Sequence, residues 1–368
     1  MTVTGIIAEC NPFHEGHAYL IRRAREITGA DYIVAAVSTD YVQRGLPAVF
    51  CWEDRVRALL AEGVDLVVGL PLYVSCSGAD YFCRGAVRLL ESTGAVTDIV
   101  FGSESGDLAK IQEYALSLPS RGGHDPAFRD AVRGAYRSGG TFADALSAAG
   151  GDIPKTPNDL LGAHYLRALA ETGSGIRPHA VRRIDCPSAG QRREALKDCP
   201  PKDQRVLFPD DLSGALLHAL CAETDYSAFL DVSVDLSNRI RNLLPRYTTY
   251  TEFASLLKTR NVTYTGVCRA LLHILLGMRQ ETMARFDRDF GLCGWIRPLG
   301  MRRDAAPLLH KIKRAADVPF LDRLSTADQT LSPDLYAYLE EELRAELLYD
   351  LSLKAGAVPA PSKPLIIV

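Results

Sequence analysis

The first 105 residues alternate between two kinds of run. VTGIIAE (3–9), DYIVAAVS (31–38), DLVVGLP (65–71) and TDIVFGSE (97–104) are short, apolar and rich in β-branched residues. Between them lie HAYLIRRAREITG (17–29), WEDRVRALLAEG (52–63) and SGADYFCRGAVRLLESTG (77–94), which carry apolar residues at helical spacing. Continuous Val/Ile/Leu runs separated by helices imply a parallel sheet covered on both faces. With right-handed crossovers this gives a doubly wound, Rossmann-like α/β fold.

Residues 106–170 read as helical, with a Gly/Pro-rich break at 120–126. The helix in TPNDLLGAHYLRALAE takes Thr156 as N-cap and Pro157 in its first turn. IRPHAVRRI (176–184) reads as a fifth strand, and SAGQRREALKD as a helix capped by Ser188. DCPPKDQ (198–204) is the boundary candidate, dividing the 368 residues into 1–198 and 205–368. The second part is mainly helical and ends on an amphipathic helix, SPDLYAYLEEELRAELLYDLSL, which suits either bundle packing or the seam of a homodimer.

No run approaches the ~20 apolar residues of a membrane helix, and MTVTGIIAEC lacks the basic start of a signal peptide. The expected location is the cytoplasm. The nine cysteines are scattered, without a C-x-x-C pair. Most read as small buried hydrophobes, and no structural metal site is expected. Charge is uneven: residues 1–120 hold 9 Lys+Arg against 15 Asp+Glu, whereas 239–314 hold 15 against 5. That basic block suggests a polyanion partner. Tyr247, Tyr250 and Tyr264 within it are read as core rather than as stacking platforms for bases. Arg55 and Arg57 are read as a solvated helix face.

The chemistry concentrates in AECNPFHEGHAYL (8–20). A strand ends, a Pro-containing turn follows, and a helix begins at two histidines. Free N–H groups at a helix start attract anions, and two imidazoles add donors there. Gly16 lets a phosphate or base approach the backbone. His14 and His17 are spaced H-E-x-H, not the H-E-x-x-H of a zinc protease. A phosphate site and a pair of packed histidines remain the open readings.

The stretch N-P-F-H-x-G-H resembles the H-x-G-H signature of the nucleotidyltransferase superfamily. In order along the chain, STDYVQRGLPAVF, GVDLVVGLP, ADYFCRGAVRLL, VFGSESGD, TPNDLLGAHYL, VRRI, LFPDDL, LSNRIRNLL, LLKTRNVTYTGVCRALLHILLG and WIRPLG resemble bacterial tRNA(Met) cytidine acetate ligases. The resemblance implies a ligase that joins acetate to ATP as acetyl-adenylate and acetylates N4 of the wobble cytidine of elongator tRNA(Met). Mg²⁺ would accompany the phosphates. It implies His14 and His17 as catalytic groups. It implies ATP contacts at Ile7, Glu9, Asn11, Pro12, Phe13, His14, Gly16, His17, Leu20, Gly102, Asn158, Arg183 and Ile184. Asn158 is expected to donate to adenine or ribose. After VRRI the pattern is shortened, and Ser188–Arg193 stands for the family's Ser-Ala-Thr-x-Ile-Arg. Arg193 would then be the phosphate arginine, with Gly190 in place of threonine. Arg44, Lys258, Arg260 and Arg269 are candidate tRNA contacts. The alternatives are a nucleotidyltransferase with another acceptor, and a tRNA-binding protein with a decayed ATP site.

Overall fold

The computed structural model describes residues 1–118, 156–201, 204–260, 262–353 and 363–368. The expected break at 120–126 lies outside them. Strands β1 (Val3–Ala8), β2 (Tyr32–Ser38), β5 (Leu66–Leu70), β6 (Asp98–Ser103) and β7 (Arg177–Arg182) are those expected from sequence. A small antiparallel hairpin, β3 (Tyr41–Val42) with β4 (Leu46–Pro47), follows β2. The main sheet has the order β7-β6-β1-β2-β5-β8-β9, and its first five strands are parallel.

The helices of the first part are α1 (Glu15–Thr28), α2 (Trp52–Ala61), α3 (Leu72–Ser75), α4 (Ala79–Ser92), α5 (Leu108–Ser117), α6 (Pro157–Thr172) and α7 (Ala189–Asp198). Strand periodicity explains why they cover both faces. In β2, Ile33, Ala35 and Val37 point to a core shared with Ile21 of α1 and Trp52, Val56 and Leu59 of α2. Val34 and Ala36 point the other way, to the core that holds Phe82, Val87 and Leu90 of α4 and Leu166 of α6. Every residue of this strand after Tyr32 is buried, so an unbroken apolar run is what the position demands.

The second part supplies α8 (Ser213–Ala222), α9 (Val234–Leu243), α10 (Tyr250–Leu257), α11 (Tyr264–Leu276), α12 (Gln280–Phe290), α13 (Ala306–Ala315), α14 (Ala327–Thr330) and α15 (Pro333–Ser352). It is mainly helical, as expected. It also supplies two strands the sequence reading did not assign: β8 (Arg297–Met301), antiparallel to β5, and β9 (Ile366–Ile367), parallel to β8. Pro298 obscured the first, since proline cannot donate to a ladder. It is accommodated where the register shifts between Val67 and Val68. The second core is continuous across both parts and includes Leu216, Phe253, Leu271, Trp295 and Tyr349. Tyr250 is fully buried, and its hydroxyl donates to Gly45 O (3.0 Å) and Cys268 O (2.9 Å).

Helix α15 packs within the chain. Tyr349 Oη donates to Ala48 O (2.7 Å), and Tyr41 Oη donates to Ala345 O (3.2 Å). The reading of Arg55 as solvated is corrected. Arg57 is exposed, but Arg55 is buried and donates to the carbonyls of Phe50, Glu9, Ser38 and Thr39. It thereby ties the ends of β1 and β2 to α2. Five of the nine cysteines are buried, as expected for small apolar groups.

Candidate active site

A cavity of about 650 Å³ opens at the carboxyl ends of β1, β6 and β7. Chain order runs from β1 outward through β2 and β5, then reverses to β6 on the other side of β1. The crevice between β1 and β6 is therefore the topological switch point, where open α/β sheets bind ligands. Its walls include Ile7, Glu9, Asn11, His14, Gly16, His17 and Leu20 from the first β–α junction. Gly102 and Asn158 line it beyond β6, and Arg183, Ile184 and Arg193 beyond β7. Arg44 and Arg269 line it too. Pro12 and Phe13 do not; the Phe13 ring packs beside that of His17 at 5.5 Å between centroids. Lys258 and Arg260 are exposed and lie outside the cavity.

The two histidines cap α1 reciprocally. His14 Nδ1 accepts the N–H of Gly16 (3.0 Å), and His17 Nδ1 accepts the N–H of His14 (3.2 Å). Their rings lie 3.9 Å apart between centroids. An acceptor Nδ1 in a neutral imidazole requires the proton on Nε2. Each ring therefore offers one N–H donor to the cavity it lines. Burial holds both below the ordinary histidine range; for His17 burial, the neighbouring His14, Arg183 and Arg192 push the pKa down to about 3. The pair is a neutral donor pair in the unliganded protein.

A stability prediction follows from that depression. The unfolded chain protonates His17 near pH 6.5, and the folded chain only near pH 3. The contribution is thus fully present above pH 6.5 and is lost as pH falls toward 3. Between pH 6 and 4, unfolding free energy from urea titration is expected to fall by about 1 kcal/mol per pH unit more in wild type than in His17→Asn. Parallel pH curves for the two proteins would refute it.

Gly16 is required for a reason the sequence did not reveal. A Cβ there would lie 2.8 Å from His14 Cε1 and 3.3 Å from Cys186 Sγ. Gly16→Ala is expected to displace the His14 ring and weaken nucleotide binding at least tenfold, measured by titration calorimetry, with little change in melting temperature. Unchanged affinity would show that the ring position does not matter.

The opposite wall is a network at the start of α6. Asn158 Nδ2 donates to Glu104 Oε1 (2.6 Å), and Glu104 Oε2 accepts the N–H groups of Asn158 (3.1 Å) and Asp159 (3.0 Å). One N–H of Nδ2 is thereby engaged; its second N–H and the carbonyl Oδ1 remain available to a ligand. Arg183 Nη1 stands 4.0 Å from Glu104. Thr156 is the N-cap residue of α6, but its hydroxyl donates to Asp159 Oδ2 (3.1 Å) rather than to the helix.

The shortened segment after β7 still builds a wall. Ser188 and Gln191 form a capping box at the start of α7, with Gln191 N to Ser188 Oγ at 3.2 Å and Ser188 N to Gln191 Oε1 at 2.7 Å. Ser188, Ala189 and Gly190 line the cavity. Arg192 pairs with Glu15 of α1, and Arg193 Nη1 donates to Asn11 O (2.5 Å). The arginine of the shortened motif thus reaches the cavity by anchoring the first turn.

The fourth wall joins the two parts of the chain. Gly45 has φ 73°, and a Cβ there would collide with the Cys268–Arg269 backbone. This close approach brings Gln43 and Arg44 together with Thr265 and Arg269. Arg269 Nε pairs with Asp231 (2.9 Å). Sequence reasoning missed Thr265 and the apolar wall of Phe82, Phe101 and Tyr165, which carry no polar signature. Among the described residues no group of three or more His, Cys, Asp or Glu could hold a metal ion. No helix among them is long and apolar enough to cross a membrane.

Fold and site together define a nucleotide-binding α/β protein of the H-x-G-H class. The sequence profile of the HIGH Nucleotidyl Transferase family matches residues 1–197 and 190–359. The tRNA(Met) cytidine acetate ligase of Thermoanaerobacter sp. (strain X514) is 30% identical to this chain, covering 97% of each. That of Acetivibrio thermocellus is 29% identical, covering 97% of this chain and 96% of its own. The crystal structure of Thermotoga maritima TmcAL bound with alpha-thio ATP superposes with a TM-score of 0.87 at 24% identity, covering 100% of both chains. The chain belongs to the HIGH nucleotidyl transferase family and, within it, to the tRNA(Met) cytidine acetate ligases.

Proposed function

We propose that this protein activates acetate with ATP as acetyl-adenylate. It then transfers the acetyl group to N4 of the wobble cytidine of elongator tRNA(Met), in the cytoplasm. The observation that carries the first step is the pair of neutral Nε2–H donors of His14 and His17, beside Arg183 at the switch point. Acetate attacks the α-phosphorus in line and pyrophosphate departs. The two N–H groups and Arg183 stabilise negative charge on the phosphorus centre and the leaving group. ATP enters as its Mg²⁺ complex, the ion satisfied chiefly by phosphate and water oxygens. No enzyme nucleophile takes part.

The second part would hold the RNA, and internal ion pairing leaves some of its cations better suited to this than others. Much of the basic block is internally paired: Arg269 with Asp231, Arg279 with Glu223, Arg285 with Asp334, Lys313 with Asp322, and Arg297 with two glutamates. Arg241, Arg246, Lys258 and Arg260 are exposed and make no ion pair among the described residues. They are the phosphate contacts we favour, with Arg44 at the cavity mouth.

The test is incubation with ATP, Mg²⁺, labelled acetate and unmodified tRNA(Met), followed by nucleoside analysis. N4-acetylcytidine is the expected product. Acetyl-adenylate without it would indicate another acceptor. Binding of tRNA with neither product would favour a decayed ATP site, a reading that the intact cap of α7 and the inward reach of Arg193 oppose.

A further inference from the structure

The two steps differ in one respect. Joining acetate to ATP releases no proton. Acetyl transfer does: the N4 amine attacks the acetyl carbonyl carbon, the bond from that carbon to the phosphate oxygen breaks, and AMP leaves. One proton of the former amine must go to a base.

The histidines cannot supply it. Each Nδ1 lone pair already accepts a backbone N–H, and each Nε2 carries a proton. Among the described residues lining the cavity Glu9 is the one carboxylate. Glu15 is turned to Arg192, and Glu104 is taken up by Asn158 and Asp159. Burial pushes the Tyr165 hydroxyl well up and the Cys10 thiol to about 12, so both stay protonated.

Glu9 is held from the side of the β3–β4 hairpin. The charges acting on His14 are those of Arg192, Glu15 and Arg183, and those acting on His17 are His14, Arg183 and Arg192. Those acting on Glu9 are Arg44 of the β3–β4 hairpin, Arg193 of α7 and Arg55 of α2. Its Oε1 is fixed by the N–H of Gln43 (2.7 Å), and no described hydrogen bond uses Oε2. The same hairpin meets the Cys268–Arg269 backbone of the helical part at Gly45, and Thr265 and Arg269 also line the cavity. A carboxylate beside a guanidinium also matches the edge of a 4-aminopyrimidine, which offers an amino donor next to ring N3 and O2 acceptors.

Resting on the function proposed above, we infer that Glu9 is the general base of acetyl transfer, taking the N4 proton of the cytosine as the new N–C bond forms. Burial raises the Glu9 carboxyl above its ordinary range while Arg44, Arg193 and Arg55 oppose this. Such a group is a stronger base than a solvated carboxylate.

Glu9→Gln preserves size and the acceptor for Gln43 N–H. Two rates are compared: exchange of labelled pyrophosphate into ATP, and single-turnover transfer from preformed enzyme-bound acetyl-adenylate to unmodified tRNA(Met). We expect the ratio of transfer to exchange to fall at least ~100-fold. The wild-type transfer rate should also fall on acidification, with an acid limb that Glu9→Gln lacks. Equal losses in both steps, or intact transfer, would overturn the assignment. So would a wild-type transfer rate that shows no fall on acidification, which decides the matter even if the variant misfolds. A wild type that exchanges no pyrophosphate with acetate present would instead refute the function on which the inference rests.

Discussion

His17→Ala is expected to lower acetyl-adenylate formation ~100-fold or more, as read by pyrophosphate exchange. Loss of one well-placed donor to developing charge costs roughly 3–4 kcal/mol of transition-state stabilisation. The alanine removes two things: the Nε2–H donor, and the Nδ1 acceptor for the N–H of His14. Losing a helix cap costs only ~1 kcal/mol of stability, so folding should survive. His17→Asn separates the roles, because its amide can keep the short-range cap yet cannot reach the outer position. A comparable ~100-fold loss in His17→Asn, with wild-type thermal stability at neutral pH, assigns the effect to Nε2. Exchange within a few-fold of wild type in either variant would end the proposal that this histidine stabilises the reacting phosphate.

Arg297→Met is the largest stability effect expected. Arg297 lies on β8 with its guanidinium enclosed between two glutamates of α15. It donates to Glu342 Oε1 (2.9 Å) and Glu346 Oε2 (3.1 Å), and all three side chains are at most 4% exposed. Glu342 Oε2 in turn accepts the N–H of Leu72 (3.0 Å), so the triad joins sheet, α3 and α15. Removing the cation leaves two carboxylates buried side by side, typically a loss of ~3–5 kcal/mol. Without Arg297 those groups would titrate higher in the folded than in the unfolded chain. Protonation then relieves the penalty, and the deficit should shrink as pH falls from 8 toward 5. Denaturant titrations at several pH values test both points. A deficit under 1 kcal/mol at pH 8 would show that the triad is not a structural link.

Parts of this protein could be read from local pattern alone. Strands β1, β2, β5, β6 and β7 are continuous apolar runs because they are buried on both faces, and burial leaves no choice of composition. The ends of α1 and α7 were legible through Gly29 and Ser188, whose backbone preferences act within a few residues. His14 and His17 stood out because two imidazoles at a helix start have few other uses. Arg55 and β8 were not legible. The acceptors of Arg55 come from the ends of two strands and the turn before its helix, which no window around it contains. Strand β8 holds proline and glycine, tolerated only because of the irregular register against β5.

The sequence by itself determined the parallel sheet, the positions of its first strands along the chain and the anion-seeking start of α1. These follow from periodicity and capping, which are local. Only the tertiary structure decided that His14 and His17 use Nδ1 as acceptors and keep the proton on Nε2, that Asn158 is tied to Glu104, and that much of the basic block is spent on internal ion pairs. It also decided that Glu9 is the one carboxylate among the described residues of the cavity wall. Each of these depends on which hydrogen-bond partner or counter-charge arrives from another element, and partner choice is a property of packing distance, not of sequence spacing.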